Sequence, residues 1–245
     1  MHLVLSGEGA SDVGSDLENI GPITKLVARL VERRLGYSLV DKDLKDLKAL
    51  TLFSKAELVD CASQMPRRSR VGKNQPRETR YFYNNARALA LLARELEAED
   101  LIVVLFRDGD GTAKSNRQEW EQKLQSMLKG FAVEELTTGV PILPKPKSEA
   151  WWLCALRDNY QNCQQLEDES GNDASPNSLK SQIEVCLGEP ATRLLLNDKI
   201  DAGEIDIDRI DMESLNKFKQ RLNQVLDGLL PSYEKGSIVD RDMKT

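Results

Sequence analysis

The sequence has few of the residues that most often perform acid–base catalysis or bind transition metals. Its 245 residues include a single histidine, His2, at the start of the chain. This argues against a histidine-based triad and against a histidine-rich zinc site. The four cysteines, at positions 61, 154, 163 and 186, show no C-x-x-C spacing, so they indicate neither a zinc ribbon nor a redox dithiol. We expect reduced, mostly buried thiols, and any catalysis must rely on carboxylates, lysines, hydroxyls and metal ions.

Long apolar runs and an excess of basic charge are also missing. No apolar run approaches the roughly 18–20 residues that a membrane helix needs. The N-terminal MHLVLSGEG lacks the basic and long apolar regions of a signal peptide. The sequence therefore predicts a cytoplasmic protein without membrane contact. The net charge of −6 excludes a uniformly basic nucleic-acid coat but leaves room for a local basic patch.

Short apolar runs typical of buried strands alternate with segments of helical periodicity. The candidate strands are His2–Ser6, Leu101–Phe106 and Val140–Leu143, and the candidate helices are 22–36, 86–96 and 117–132. Such alternation predicts an α/β fold with a mostly parallel, Rossmann-like sheet flanked by helices. Residues 37–60 are ambiguous, although 50–53 fits a short strand.

The character of the sequence changes after about residue 165. Residues 167–181 are polar and contain glycine, proline, serine and asparagine, which indicates a linker or an exposed loop. Residues 181–230 have a mainly helical pattern. We therefore predict a catalytic α/β domain over 1–165 and a mainly helical C-terminal extension over 166–245.

A basic insert near residues 64–80 contains prolines and a glycine and is predicted to be a loop. The insert contains one acidic residue, Glu78. Its basic residues are Arg67, Arg68, Arg70, Lys73, Arg77 and Arg80. One interpretation is a solvated surface. The other is a nucleic-acid-binding arm that contacts phosphates and releases them at high salt. Tyr81 and Tyr83 follow, either as packing residues of the next helix or as platforms for bases.

Acidic residues follow three of the predicted strands. Glu8 and Asp12 follow the first strand, Asp108 and Asp110 follow the central strand, and Glu149 follows the last. Open α/β sheets bind ligands just outside the carboxyl ends of their strands, so neighbouring strands would bring these carboxylates together. Hard oxygen donors without histidine suit Mg²⁺ or Mn²⁺. Such ions favour phosphodiester cleavage or phosphoryl transfer, and the absence of a G-x-x-x-x-G-K-[ST] motif argues against a P-loop enzyme.

The same residues resemble the motifs of Toprim domains. The segment 8–12, EGASD, is similar to the E-G-x-[ST]-[DE] motif, and 106–110, FRDGD, to the D-x-D motif. The segment 147–153, KSEAWWL, is similar to the S-E-A-W-L segment of Toprim-like proteins from bacterial defence loci. These proteins are related to the nuclease half of the overcoming-lysogenization-defect family. The resemblance covers roughly residues 1–160, with an insert between the first two motifs. Ser148 and Glu149 are adjacent, where the related nucleases have S-x-E.

The resemblance implies a Mg²⁺- or Mn²⁺-dependent nuclease of anti-phage defence that acts on DNA or RNA. It implies metal ligation by Glu8, Asp12, Asp108, Asp110 and Glu149, with Glu8 also acting as a general acid or base and Lys147 stabilising the transition-state phosphate. A regulatory ATPase would be a separate protein, and a homo-oligomer is a further option. The alternatives are a non-cleaving regulatory subunit of a defence complex and a primase-like phosphotransferase. No tyrosine nucleophile stands near the acids, which argues against topoisomerase chemistry.

Overall fold

The structure is a computed structural model and describes residues 1–40, 49–65, 77–109 and 117–230. The strands are β1 (His2–Ser6), β2 (Leu50–Phe53), β3 (Leu101–Phe106) and β4 (Gly139–Ile142). The helices are α1 (Pro22–Leu35), α2 (Lys55–Gln64), α3 (Arg77–Arg94), α4 (Arg117–Val133), α5 (Glu149–Leu156), α6 (Cys163–Leu166), α7 (Leu179–Leu187), α8 (Arg193–Asp201) and α9 (Glu213–Leu229), with a 3₁₀ turn at Asp158–Tyr160.

The strands form a parallel sheet in the order β2-β1-β3-β4. The predicted α/β fold with a parallel sheet flanked by helices is confirmed at this level. β4 begins one residue before the predicted strand, at Gly139. The chain passes from β1 outward to β2 and then returns to the other side of β1 to form β3. The connections therefore reverse direction between β1 and β3, which is where open α/β sheets form their ligand crevice.

Both faces of the sheet are buried, which explains why β3 is apolar at every position. Ile102, Val104 and Phe106 join one hydrophobic cluster, whereas the alternating Leu101, Val103 and Leu105 join the other. Successive side chains of a strand point to opposite faces, so a strand covered on both sides needs apolar residues throughout. Helices α2, α3 and α4 contribute to the second cluster.

The C-terminal helices complete the first of these clusters. Phe218 and Leu222 of α9 are buried together with Trp151 of α5 and with Ile23 of α1. Trp151 is fully buried and donates from Nε1 to Ser214 Oγ at 2.8 Å. Trp151 is therefore part of the hydrophobic core. Helices α7, α8 and α9 account for much of residues 179–230, in line with the predicted helical pattern.

Ion pairs also connect the C-terminal helices to α1. Arg29 contacts Asp201 of α8 at 2.8 Å, and Arg34 contacts Asp227 of α9 at 2.6 Å. Lys25 also pairs with Asp201. The polar face of α1 is thus directed at the C-terminal third of the chain.

Helix α3 begins inside the segment that the sequence predicted to be a loop. The prediction extended the loop to Arg80, whereas α3 already begins at Arg77. The sequence places Pro76 directly before this helix, and proline is common at a helix start as well as in loops. Helix α2 was not predicted, although Ser54 and Glu57 form a capping box at its start, a pattern that is recognisable in sequence.

Two of the cysteines form a disulfide, so the expectation of four reduced thiols is wrong. Cys154 of α5 and Cys163 of α6 are bonded, with their Cα atoms 5.0 Å apart. Both residues are buried. Their spacing of nine residues carries no recognised motif, and only the turn between α5 and α6 brings them together. Cys61 and Cys186 are free thiols.

Candidate functional site

The candidate site lies at the carboxyl ends of β1, β3 and β4, three adjacent strands of the sheet. Glu8 and Asp12 follow β1, Asp108 follows β3, and Glu149 begins α5 beyond β4. The crevice at the reversal between β1 and β3 therefore carries acids on both of its sides. The order of the strands, which the sequence did not define, places these residues on one edge of the sheet.

The loop after β1 is fixed by the first turn of α1. The amide of Val13 donates to Gly9 O at 3.2 Å, which folds the loop into a helical turn. The Asp12 carbonyl accepts from the Ile23 amide at 3.0 Å, and the Val13 carbonyl accepts from the buried Thr24 hydroxyl at 2.6 Å. A Cβ at Gly21 would lie only 2.1 Å from the Asp12 carbonyl oxygen. Glycine is therefore required at position 21 for this close approach.

The loop after β3 continues alongside the loop after β4. The Gly109 amide donates to Pro144 O at 3.0 Å, and the Lys123 ammonium donates to Gly109 O at 2.7 Å. A Cβ at Gly109 would lie 2.5 Å from Pro144 O, so this contact also requires glycine. Asp108 is thereby directed at the start of α5, where its Oδ1 accepts from the Ser148 amide at 3.1 Å.

The acids of the site interact with one another. The pKa of Asp108 is raised to about 8, chiefly by burial and also by the nearby carboxylates of Glu149, Asp12 and Glu8, while the hydrogen bond from the Ser148 amide lowers it. Burial likewise raises the pKa of Asp12 to about 6, against the hydrogen bond from Ser11 and with contributions from Glu149 and Glu8. Mutual repulsion of this kind requires that the four side chains lie within electrostatic reach of each other.

Glu149 contributes an oxygen that is buried without a partner. Its Oε2 atom has no hydrogen bond in the described part of the chain. A buried polar atom of this kind costs free energy unless a ligand satisfies it. Within the described ranges, no three acidic, histidine or cysteine side chains stand close enough together to hold a metal ion as they are placed. The donor chemistry fits a hard divalent cation, but the side chains do not form a closed coordination shell.

Arg107 is a member of the site that the sequence analysis missed. Its guanidinium is fully buried, with Nη1 donating to Phe106 O at 2.7 Å and Nη2 donating to Asn85 Oδ1 at 2.6 Å. Its Nε lies 3.9 Å from Glu8 Oε1 and has no hydrogen bond among the described residues. Burial lowers the pKa of Arg107, with Tyr81 and Glu8 opposing that effect. The sequence feature that could have drawn attention to Arg107 is its position directly after the apolar run of β3.

Lys147 is the other cation beside the acids, and it already has a partner. Its ammonium contacts Asp173 Oδ2 at 3.0 Å, and its side chain is only 16% exposed. Burial lowers the pKa of Lys147, but the hydrogen bond with Asp173 and the charges of Asp173, Glu149 and Asp108 outweigh burial and raise it. Lys147 therefore lies within electrostatic reach of Glu149 and Asp108, while its ammonium contacts a carboxylate outside the predicted site.

Several predicted site residues lie outside the described residues. These are Asp110, Arg67, Arg68, Arg70 and Lys73, and for Arg77 only the backbone of α3 is described. Arg80 is exposed on α3. Tyr83 is buried and packs in α3, with the Arg87 guanidinium 5.7 Å from its ring. The predicted nucleic-acid-binding arm stays a prediction.

Comparison with known proteins adds no family. The chain matches no protein-family model, and no curated protein or solved structure was found to match it. The structure has no helix, within the ranges it describes, with the length and apolar character needed to cross a bilayer. The likeness to Toprim domains therefore rests on the sequence motifs, and the fold supports it only as a parallel α/β sheet.

Proposed function

We propose that this chain is a divalent-metal-dependent nuclease that cleaves phosphodiester bonds in DNA or RNA. The observation that carries the proposal is the convergence of Glu8, Asp12, Asp108 and Glu149 from three adjacent strands onto the ligand-binding edge of the sheet. The resemblance to Toprim-like proteins of defence loci supports this reading and suggests a cytoplasmic role in anti-phage defence. An ATPase partner, if one regulates the activity, would be a separate chain.

The acids would hold Mg²⁺ or Mn²⁺, with Asp110 as a further ligand implied by the motif. The unpartnered Oε2 of Glu149 and the carboxylate of Asp108 provide hard oxygen donors. Without a cation, burial and repulsion keep a proton on Asp108 near neutral pH, and a divalent ion would favour the deprotonated form. When bound, the ion supplies positive charge that polarises a phosphoryl oxygen and promotes deprotonation of water.

The remaining residues of the site position these groups. The Ser148 amide orients Asp108, and the loop contact between Gly109 and Pro144 holds Asp108 at the start of α5. The Arg107 guanidinium is fixed by Asn85 and offers its Nε toward Glu8, the proposed general acid or base. Lys147 would stabilise charge on the transition-state phosphate once its ammonium leaves Asp173.

A cleavage assay tests the proposal directly. The purified chain would be incubated with plasmid DNA, single-stranded DNA and total RNA, each with Mg²⁺, Mn²⁺ or EDTA. We expect metal-dependent cutting that falls at least about 100-fold in Asp108→Asn and Glu8→Gln, since removing a metal ligand or a general acid–base group costs factors of this size. The matched control is Asp198→Asn, an exposed acid of α8, which should retain full activity.

Two outcomes would refute the nuclease proposal. One is the absence of cutting of every substrate with either metal. The other is full activity in Asp108→Asn. Binding of Mn²⁺, followed by electron paramagnetic resonance in the same variants, separates loss of the metal from loss of a catalytic group. Bound metal without cutting would instead support the non-cleaving regulatory subunit.

A further inference from the structure

A short acidic segment lies against the lysines that follow β4. We define the acidic strap as residues 167–173, between α6 and α7. It contains Glu167, Asp168, Glu169 and Asp173 and no lysine or arginine. The β4–α5 loop contains Lys145 and Lys147, and Lys147 is the cation that stands beside the candidate site.

The strap pairs with both lysines. Asp173 contacts Lys147 at 3.0 Å, and Asp168 contacts Lys145 at 3.5 Å. The lysine side chains are only 16% and 14% exposed, whereas those of Asp173 and Asp168 are 60% and 80% exposed. Asp168 and Asp173 therefore stay largely exposed to water while they pair with two largely buried lysines.

The other two acids of the strap anchor it to the protein. Glu167 is buried, and its Oε1 accepts from the Ser214 amide in the first turn of α9 at 2.8 Å. Glu169 Oε2 accepts from the side-chain amide of Gln182 on α7 at 2.7 Å. The hydrogen bonds of these anchors involve neither lysine, although Glu167 also lies within electrostatic reach of Lys145.

The lysine contacts are of a kind that an external anion can replace. Ion pairs with well-exposed carboxylates contribute little to stability, because water and salt screen them. Asp168 and Asp173 are themselves well exposed, so solvent ions reach both contacts. A nucleic-acid strand carries a charge at every phosphate and gains further from the release of its counterions when lysines bind it.

We infer that Lys145 and Lys147 form a phosphate-binding pair for a nucleic-acid strand, and that the acidic strap occupies this pair in the free protein as an intramolecular competitor. The strand displaces the carboxylates of Asp168 and Asp173 and brings a phosphate beside Asp108 and Glu149. The nature of the ligand rests on the proposed function. The competition itself rests on the two ion pairs, and it lowers the affinity of the free protein for its substrate.

Binding in the absence of cleavage tests the inference separately from the nuclease proposal. Fluorescence anisotropy with labelled single-stranded DNA and RNA oligonucleotides would be measured in EDTA on the full chain. Asp168→Asn/Asp173→Asn removes the competing charges and should tighten binding about 2- to 30-fold, because each of the two exposed ion pairs is worth about 1.4- to 5-fold. The matched control Glu189→Gln/Asp198→Asn removes two exposed charges elsewhere in the C-terminal third and should change affinity less than about twofold.

The lysine variants complete the test. Lys145→Gln/Lys147→Gln should weaken binding, and combining it with the strap variant should abolish the gain, because competition requires both partners. The inference is overturned if the strap variant binds no more tightly than the control, or if its gain persists without the lysines. Tighter binding by the strap variant together with no metal-dependent cutting would support the strap while refuting the nuclease.

Discussion

The most direct test of the site electrostatics is the substitution Asp108→Asn, measured as a change in stability with pH. The carboxyl group of Asp108 is part-buried beside Glu149, Asp12 and Glu8, with Lys147 as the neighbouring cation. Asparagine has nearly the same shape, and its side-chain oxygen can still accept from the Ser148 amide. The substitution therefore removes the titration of this position while preserving its packing.

The sign and size of the effect follow from the raised pKa. Folding raises the pKa of Asp108 from 3.8 to about 8, so the folded state retains a proton that the unfolded state releases. The stability associated with this proton is present below about pH 4 and is lost as the pH rises to about 8. At about 1.4 kcal/mol per pH unit, the loss reaches about 4 kcal/mol at pH 7. Because Asp108 keeps some solvent contact, we expect Asp108→Asn to gain about 2–4 kcal/mol there.

Urea denaturation in EDTA between pH 4.5 and 8, followed by fluorescence of the buried tryptophans, measures this gain. The difference between Asp108→Asn and the unsubstituted chain should be largest at pH 8 and fall to about 1 kcal/mol or less at pH 4.5. Asp198→Asn, an exposed acid of α8, should show no such dependence. If Asp108→Asn is no more stable at pH 8, or if its gain does not shrink toward low pH, Asp108 is not a repelled, part-buried acid and the described site is wrong.

Two further predictions concern the framework of the fold. An ion pair between Arg87 and Glu134 joins α3 to the end of α4 at 2.6 Å, and both side chains are only 4% exposed. Glu134→Ala should lower the free energy of unfolding by about 3–5 kcal/mol, because it leaves the Arg87 charge buried without a partner. Urea denaturation measures this loss. The double variant Arg87→Met/Glu134→Leu should recover most of that loss, because neither charge is then buried. If Glu134→Ala is as stable as the unsubstituted chain, the ion pair is not buried as described. The disulfide should appear as a crosslinked Cys154–Cys163 peptide in a non-reduced digest, and reduction should lower the free energy of unfolding by about 2–3 kcal/mol for this short loop. Two free thiols at these positions in protein isolated without reductant would refute the pairing.

The sequence predicted the parts of the site that depend on local pattern. Leu101–Phe106 is apolar at every position because both faces of β3 are buried, and this pattern is visible without a structure. Glu8, Asp12, Asp108 and Glu149 could be proposed because they lie in the segments that follow such runs. The disulfide could not be found, because nothing in the spacing of its cysteines distinguishes a bonded pair from two buried thiols.

Arg107 illustrates why the rest of the site was not accessible from sequence. A basic residue after a strand is ordinarily a solvated one, and its complete burial depends on Asn85, which is far away along the chain. The same holds for Lys147, whose charge is directed at Asp173 by the course of the polar segment after α6. Sequence indicates which residues can carry charge, whereas their partners depend on long-range contacts.

The sequence by itself determined the parallel α/β class and the acids that end its strands, since strand burial and residue chemistry are local properties. Only the tertiary structure decided that β1, β3 and β4 are adjacent, that the C-terminal helices close one face of the sheet, and that the acidic strap pairs with the two lysines. Each of these depends on which distant segments pack together. Which segments pack together depends on how the whole chain buries its apolar surface, and no single segment specifies it.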